Sequence, residues 1–200
     1  MKLLIIGFGS IGSRHARLAS AMGLTIACVT QNKSCPYSVF SSIEMGIEKF
    51  KPDLVIISTE TIKHFDNLLT VERTGFRGAI LIEKPIFSFP PHFTPANLGE
   101  IFVGYSLRSH PLVKALKDRL NGVQIYSAEL HAGQFLPDWR PDTDYRKSYS
   151  SELSSGGGVL RDLSHEIDLA NMLLGGISDV VAIGGHFSNL KINSGDIFIA

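Results

Sequence analysis

The stretch Gly7-Phe8-Gly9-Ser10-Ile11-Gly12 constrains this chain most, because of what stands on either side of it. Before it, Lys2 to Ile6 is a short apolar run that reads as a buried strand. After it, Ile11, Leu18, Ala19 and Met22 recur at helical spacing, and Gly23 supplies a helix stop. Leu24 to Val29 reads as a second strand, closing a βαβ unit of the expected ~30 residues. In such a unit the first glycine permits the tight turn, and the second lets a pyrophosphate approach the backbone. The third lets helix and strand pack closely, and the helix N-terminus faces the phosphates. Gly7, Phe8, Gly9, Ser10, Ile11 and Gly12 are thus expected to bind a dinucleotide. The competing reading is a glycine-rich turn in an unrelated α/β domain.

The end of the second strand bears on which dinucleotide. An acidic residue there would bond the ribose hydroxyls of NAD. This chain has Thr30-Gln31-Asn32-Lys33, and no carboxylate until Glu44. Polar neutral residues with Lys33, and Arg14 on the helix, suit a 2′-phosphate, so the expectation is NAD or NADP with a slight lean to NADP. Alternatively, Lys33 is only solvated and Thr30 and Gln31 serve the ribose of NAD.

Further strands bring more polar residues to carboxyl ends, where open α/β sheets bind ligands. Asp53 to Ile57 is a buried strand ending in Ser58-Thr59, which either approach a nicotinamide ribose or cap the next helix. That helix spans about Thr61 to Thr74, with His64 in its first turn. Ser41 to Phe50 reads as a short helix. Gly78 to Ile82 is a fourth strand, delivering Glu83-Lys84-Pro85. An amine there could move a proton to or from a substrate oxygen, although the same residues also suit a plain surface turn. Phe87 to Leu98, rich in Pro and Phe, reads as a loop. Ile101 to Tyr105 is a fifth strand, followed by Arg108, Pro111 and an amphipathic helix to about Leu120.

The texture changes at Asn121-Gly122. Residues 1–120 are expected to form a dinucleotide-binding domain and 121–200 the start of a second α/β domain. Val123 to Ala132 alternates like a long strand. Phe135 to Tyr149 is a polar, aromatic loop containing Trp139, Arg140, Tyr145, Arg146 and Tyr149, a mixture that suits a polyhydroxylated ligand or an ordered loop stitched by its own ion pairs. Gly156-Gly157-Gly158 opens a helix through about Leu174, on which Asp162 and His165, three apart, share a face. They form either an oriented acid–base pair or a helix-start Asp beside a structural His. Val180 to Phe187 and Asp196 to Ala200 read as further strands.

Composition narrows the class. Of 200 residues, 44% are hydrophobic and 19% charged, which supports a sizeable core and argues against disorder. A formal net charge of +0 gives no electrostatic support for nucleic-acid or membrane partners. With only Cys28 and Cys35, a disulfide framework and a metal site are not expected. The amino-terminal apolar run is too short for a signal segment, and no run is long enough for a bilayer, so a soluble cytoplasmic protein is expected.

Together these features resemble the glucose–fructose oxidoreductase, inositol dehydrogenase and MocA family of NAD(P)-dependent oxidoreductases. The matching residues are the glycine motif with Arg14-His15, His64 after a strand end, Glu83-Lys84-Pro85, Arg108 with Pro111, and Gly156-Gly157-Gly158 leading to Asp162, His165 and Asp168. The resemblance implies a Rossmann-type parallel sheet followed by an α/β domain with a mainly antiparallel sheet, incomplete here. It implies hydride transfer between nicotinamide and a carbinol or keto carbon of a sugar, sugar derivative or cyclitol. More loosely, the loop from Leu136 to Arg146 resembles members that serve surface-polysaccharide biosynthesis.

By the same resemblance Lys84 holds the substrate hydroxyl and relays its proton, His165 is the general acid–base, and Asp162 orients it or binds substrate. Ser58, Thr59, His64, Glu83 and Arg108 would help hold the cofactor. Copies would pair through the second sheet. Three departures stand out: the Asp162–His165 spacing is three where four is common, the Phe87 to Leu98 loop replaces a helix, and members usually run well beyond this length. The second sheet is therefore expected to lack strands, as a fragment, a truncated product or a natural short form would. The alternative function is a non-catalytic dinucleotide-binding module or an inactive remnant.

Overall fold

The computed structural model describes residues 1–92, 96–139 and 141–200. The chain divides by its packing into two compact units, Met1–Gly104 and Tyr105–Ala200.

The first unit is a six-stranded parallel sheet flanked by helices, a Rossmann-type fold. Its elements run β1 (Lys2–Ile6), α1 (Ser10–Ala21), β2 (Thr25–Val29), β3 (Ser38–Phe40), α2 (Ile43–Met45), β4 (Leu54–Ile57), α3 (His64–Arg73), β5 (Ala79–Ile82) and β6 (Ile101–Val103). A π-helical turn, Gly46–Phe50, extends α2, and a 3₁₀ turn, Thr61–Lys63, leads into α3. The strand order is β3-β2-β1-β4-β5-β6. The chain winds outward one way from β1 and the other way from β4, so the topological switch point lies between these two strands.

Strand residues alternate between two cores. Leu4, Ile6, Val55, Ile57, Ile80 and Ile82 face a layer holding Leu68, Val71 and Phe76. Leu3, Ile5, Ile26, Cys28 and Ile56 face the opposite layer, with Ala16 and Ala19 of α1. Burial on both faces explains why these strands read as unbroken apolar runs. Cys28 is a free, buried core residue, and burial together with a hydrogen bond to Cys35 pushes its thiol up. The short edge strand β3 has an exposed, polar start and gives no such run.

The second unit contains α4 (Pro111–Leu120), α5 (Leu136–Trp139), α6 (Val159–Asp162), α7 (His165–Leu174) and the antiparallel pair β7 (Ile183–Gly185) and β8 (Ile197–Ile199). Tyr105 to Leu120, placed with the first domain by sequence texture, packs with this unit. Val123 to Ala132 is not a strand: it lies outside regular structure, with Tyr126 92% exposed. A strand exists only against a neighbour, and among the described residues none pairs with it. Residues 87–92 and 96–98 are loop, as their composition indicates. Among the described residues no helix is long and apolar enough to cross a membrane.

Candidate functional site

In the first unit the carboxyl ends of β1, β2, β4 and β5 converge on the glycine loop. Gly7 adopts φ +94°, and its amide donates to Val29 O of β2 at 3.0 Å. A Cβ on Gly12 would strike the Gly7 carbonyl and lie 2.7 Å from Ser58 Oγ. Only hydrogen fits where α1 passes this close to the loop. Gly9 faces open space, so its backbone is approachable. The twelve-residue α1 begins with no side chain capping its amides and no acid in its first turn, which leaves its positive end suited to an anion. This cradle, which a Cβ would fill, fits a dinucleotide pyrophosphate.

Polar side chains around the loop are occupied in building it. The Ser58 hydroxyl, buried after β4, donates to Gly7 O at 2.9 Å. Asn32 Nδ2 donates to Phe8 O at 3.2 Å, and the Asn32 amide donates to Thr30 Oγ1. Thr59 Oγ1 accepts from Asn67 of α3 at 2.8 Å. Ser10, Arg14, Gln31 and Lys33 are exposed around this rim, as is Ile11. Ser58 is therefore a brace across the switch point, and Asn32 and Asn67 are supporting residues that sequence reading did not single out. Only their places two residues after Thr30 and eight after Thr59 could have hinted at it.

Two histidines occupy places the sequence does not reveal. His64, expected by resemblance near the cofactor, is 1% exposed and internal. Its Nδ1 lies 3.2 Å from both Pro85 O and Ile86 O, and its Nε2 lies 3.0 Å from Thr59 O. Burial pushes the imidazole down, opposed by those three carbonyls and the Glu83 charge. His15, on α1, lies 2.7 Å from Glu83 Oε1. Glu83 is thus engaged with α1, while its Oε2 accepts the Lys84 amide at 3.3 Å. Lys84 itself is half-buried at this strand end.

The second unit has its own candidate pocket, of about 170 Å³. Trp139, Phe135, Asp162, Leu190, Ile192 and Asp196 are among its lining residues. Tyr145 lines a smaller adjoining recess with Trp139. Asp196 accepts from the amides of Phe187 at 2.8 Å and Ser188 at 3.0 Å, and from the Ser188 hydroxyl. Burial pushes its carboxyl up, but the Ser188 and Phe187 bonds outweigh it and hold the group below its usual range. Asp196, beside a strand-like run, was not singled out from sequence.

Asp162 and His165 do not share one continuous helix face. Asp162 closes α6 and His165 opens α7, with a break at Leu163 (φ −107°, ψ 37°) and Ser164. The His165 ring meets Tyr105 edge-on at 5.7 Å, and the Tyr105 hydroxyl donates to Ser164 Oγ at 3.5 Å. Arg108 forks onto Asp168 of α7, with Nε–Oδ2 2.8 Å and Nη2–Oδ1 2.6 Å, and this bonding pushes the guanidinium up. Its guanidinium therefore holds α7. Arg146 pairs with Asp144 at 2.8 Å on the surface, and the Tyr149 hydroxyl donates to Gly156 O at 2.6 Å. Arg140 lies outside the described residues. Among the described residues no group of three or more His, Cys, Asp or Glu could hold a metal ion.

Solved structures share this fold. The WlbA dehydrogenase from Bordetella pertussis, in complex with NADH and UDP-GlcNAcA, aligns with a TM-score of 0.76 at 15% identity, over 98% of this chain and 65% of its own. The WlbA (WbpB) dehydrogenase from Thermus thermophilus, in complex with NAD and UDP-GlcNAcA, aligns at 0.68 and 20% identity, over 94% and 67%. GenD2 from gentamicin A biosynthesis, in complex with NAD, aligns at 0.70 and 16% identity, over 97% and 59%. The chain thus spans 59% to 67% of the length of these proteins. No family model and no curated protein sequence matches it.

Proposed function

We propose that this chain belongs to an NAD(P)-dependent dehydrogenase of the glucose–fructose oxidoreductase, inositol dehydrogenase and MocA type, acting on a sugar derivative or cyclitol. The observation that carries the reading is the glycine cradle at the switch point, with Gly12 packed against Gly7 and Ser58 beneath the uncapped start of α1. The ligands of the structurally similar proteins support it, since each holds NAD or NADH and two, both dehydrogenases, hold a nucleotide sugar. They lend no support to a preference for NADP, so the cofactor is proposed as NAD(P).

In this reading Gly7, Gly9, Ser10 and Gly12 hold the pyrophosphate, with Thr30, Gln31 and Arg14 toward the ribose. The nicotinamide would supply the hydride exchange when bound. Lys84, at the end of β5, would hold the reacting hydroxyl and exchange its proton. His165 would act as general acid–base, with positioned proton transfer contributing roughly 10²–10⁴ in rate. Asp162, which closes α6 just before His165 opens α7, would orient His165 or bind substrate. It lines the pocket that Trp139 also lines, where an aromatic face beside a carboxylate suits a sugar ring.

Titration with NADH and NADPH, followed by cofactor fluorescence, tests the reading. Binding of either supports it, and a folded chain that binds neither sinks it. A nucleotide-sugar and cyclitol panel then tests turnover. Lys84→Ala and His165→Ala are expected to abolish turnover while largely sparing cofactor affinity.

A further inference from the structure

Lys84 is carried on a turn that two helices grip through histidines. On one side, His15 of α1 bonds Glu83 Oε1 at 2.7 Å, and the second oxygen of that carboxylate accepts the Lys84 amide. The carboxylate is seated against backbone as well, since a Cβ on Gly104 would meet it at 3.0 Å. On the other side, the buried His64 of α3 packs its ring between the Pro85 and Ile86 carbonyls and Thr59 O, with one N–H to donate. The two grips differ in what they connect. His64 ties the turn to the neighbouring strand end. His15 ties it to α1, the helix that opens at the glycine loop.

An exposed side-chain pair would mean little. This one joins residues 68 apart in sequence, with side chains only 25% and 17% exposed. A group that relays a proton must be held to within about 1 Å of its productive place, and that depends on the residues behind it.

We propose that His15 is a positioning residue for Lys84: through Glu83 it sets the lysine-bearing turn against the helix that receives the dinucleotide, so one rigid element places both. The inference rests on the dehydrogenase reading for its meaning, but not for its measurement. It predicts that loss of His15 changes the environment of the Lys84 amine.

The probe is timed acetylation of the full chain with an N-hydroxysuccinimide ester, read by mass spectrometry. Lys51, at the end of the π-helical turn, serves as an internal reference. His15→Ala and Glu83→Ala should each change the Lys84 rate relative to Lys51 by at least about threefold, within the range for groups in contact. The double variant should go no further than the larger single change. His15→Gln, which restores a donor toward Glu83, should return most of the original rate, which a general loss of packing would not. Should His15→Ala fail to fold, His15→Asn, polar but too short to reach Glu83, carries the same comparison.

A Lys84 rate unmoved by loss of His15, an equal change at Lys51, or additive single effects would overturn the inference. NADH and NADPH titrations of the parent protein run alongside. If it binds neither, the dehydrogenase reading fails, and the lysine rates still decide whether His15 sets Lys84.

Discussion

His15 Nε2 stands 2.7 Å from Glu83 Oε1, so the first helix reaches across the sheet end to the residue that follows β5. Glu83 also accepts the amide of Lys84. Glu83→Ala removes both bonds and should lower unfolding stability by about 1 kcal/mol, the partial exposure of the pair keeping the loss modest. Glu83→Gln, which keeps a side-chain oxygen, should lose less. Urea unfolding of the two variants checks the ordering, and equal losses would show that the hydrogen bonds contribute nothing measurable.

The glycine loop separates packing from binding. Gly12→Ala forces a methyl group onto the Gly7 carbonyl and Ser58 Oγ. Backbone cannot yield there cheaply, and overpacking of this kind costs about 1–3 kcal/mol. Gly9→Ala meets nothing within 4 Å, at a φ of −86° that alanine adopts. Its stability should stay within about 0.5 kcal/mol of the parent. Its affinity for the dinucleotide should still fall about tenfold or more, or about 1.4 kcal/mol. Thermal melts paired with cofactor titrations read both effects.

His64 should make the first unit sensitive to acid. Burial holds its imidazole below the ordinary value of 6.5, so the folded chain favours the neutral ring. The unfolded chain takes up a proton near 6.5 and binds more protons below it. Stability is therefore whole above 6.5 and falls as pH drops from there toward the depressed folded value. Replacing the ring by His64→Gln should flatten that slope in melting temperature against pH. An unchanged slope would show that His64 does not titrate across unfolding.

Asp168 is the enclosed partner of an otherwise exposed pair, with side-chain exposures of 8% for Asp168 and 48% for Arg108. Arg108→Ala leaves a mostly buried carboxylate without its fork and should cost about 1–2 kcal/mol. Replacing both, as Arg108→Ala with Asp168→Leu, removes the stranded charge and should cost less than Arg108→Ala alone. Denaturant midpoints of the three proteins test this, and a double variant weaker than the single would reverse the argument.

Much of the fold was legible because its signals are local. β1, β2, β4 and β5 are short apolar runs bounded by turn residues, and burial on both faces of a parallel sheet demands such runs. Gly7 and Gly12 were legible because backbone geometry and close approach admit no other residue there. The strand expected over Val123 to Ala132 was misread because alternation states only that a chain suits a sheet, not that a neighbour is present. The break between α6 and α7 left no local mark: no Gly or Pro stands at Leu163-Ser164, and helical periodicity continues through it.

By itself the sequence determined the parallel sheet, the glycine turn after β1 and the set of residues that reach strand ends. Each follows from burial or backbone freedom within a few positions. Only the tertiary structure decided what those residues do there. It turned His64 inward onto three carbonyls, bound Ser58 across the switch point to Gly7, and brought His15 to Glu83 across 68 positions of chain. A side chain's hydrogen-bond partner depends on which elements the packed sheet sets side by side, and no local pattern carries that information.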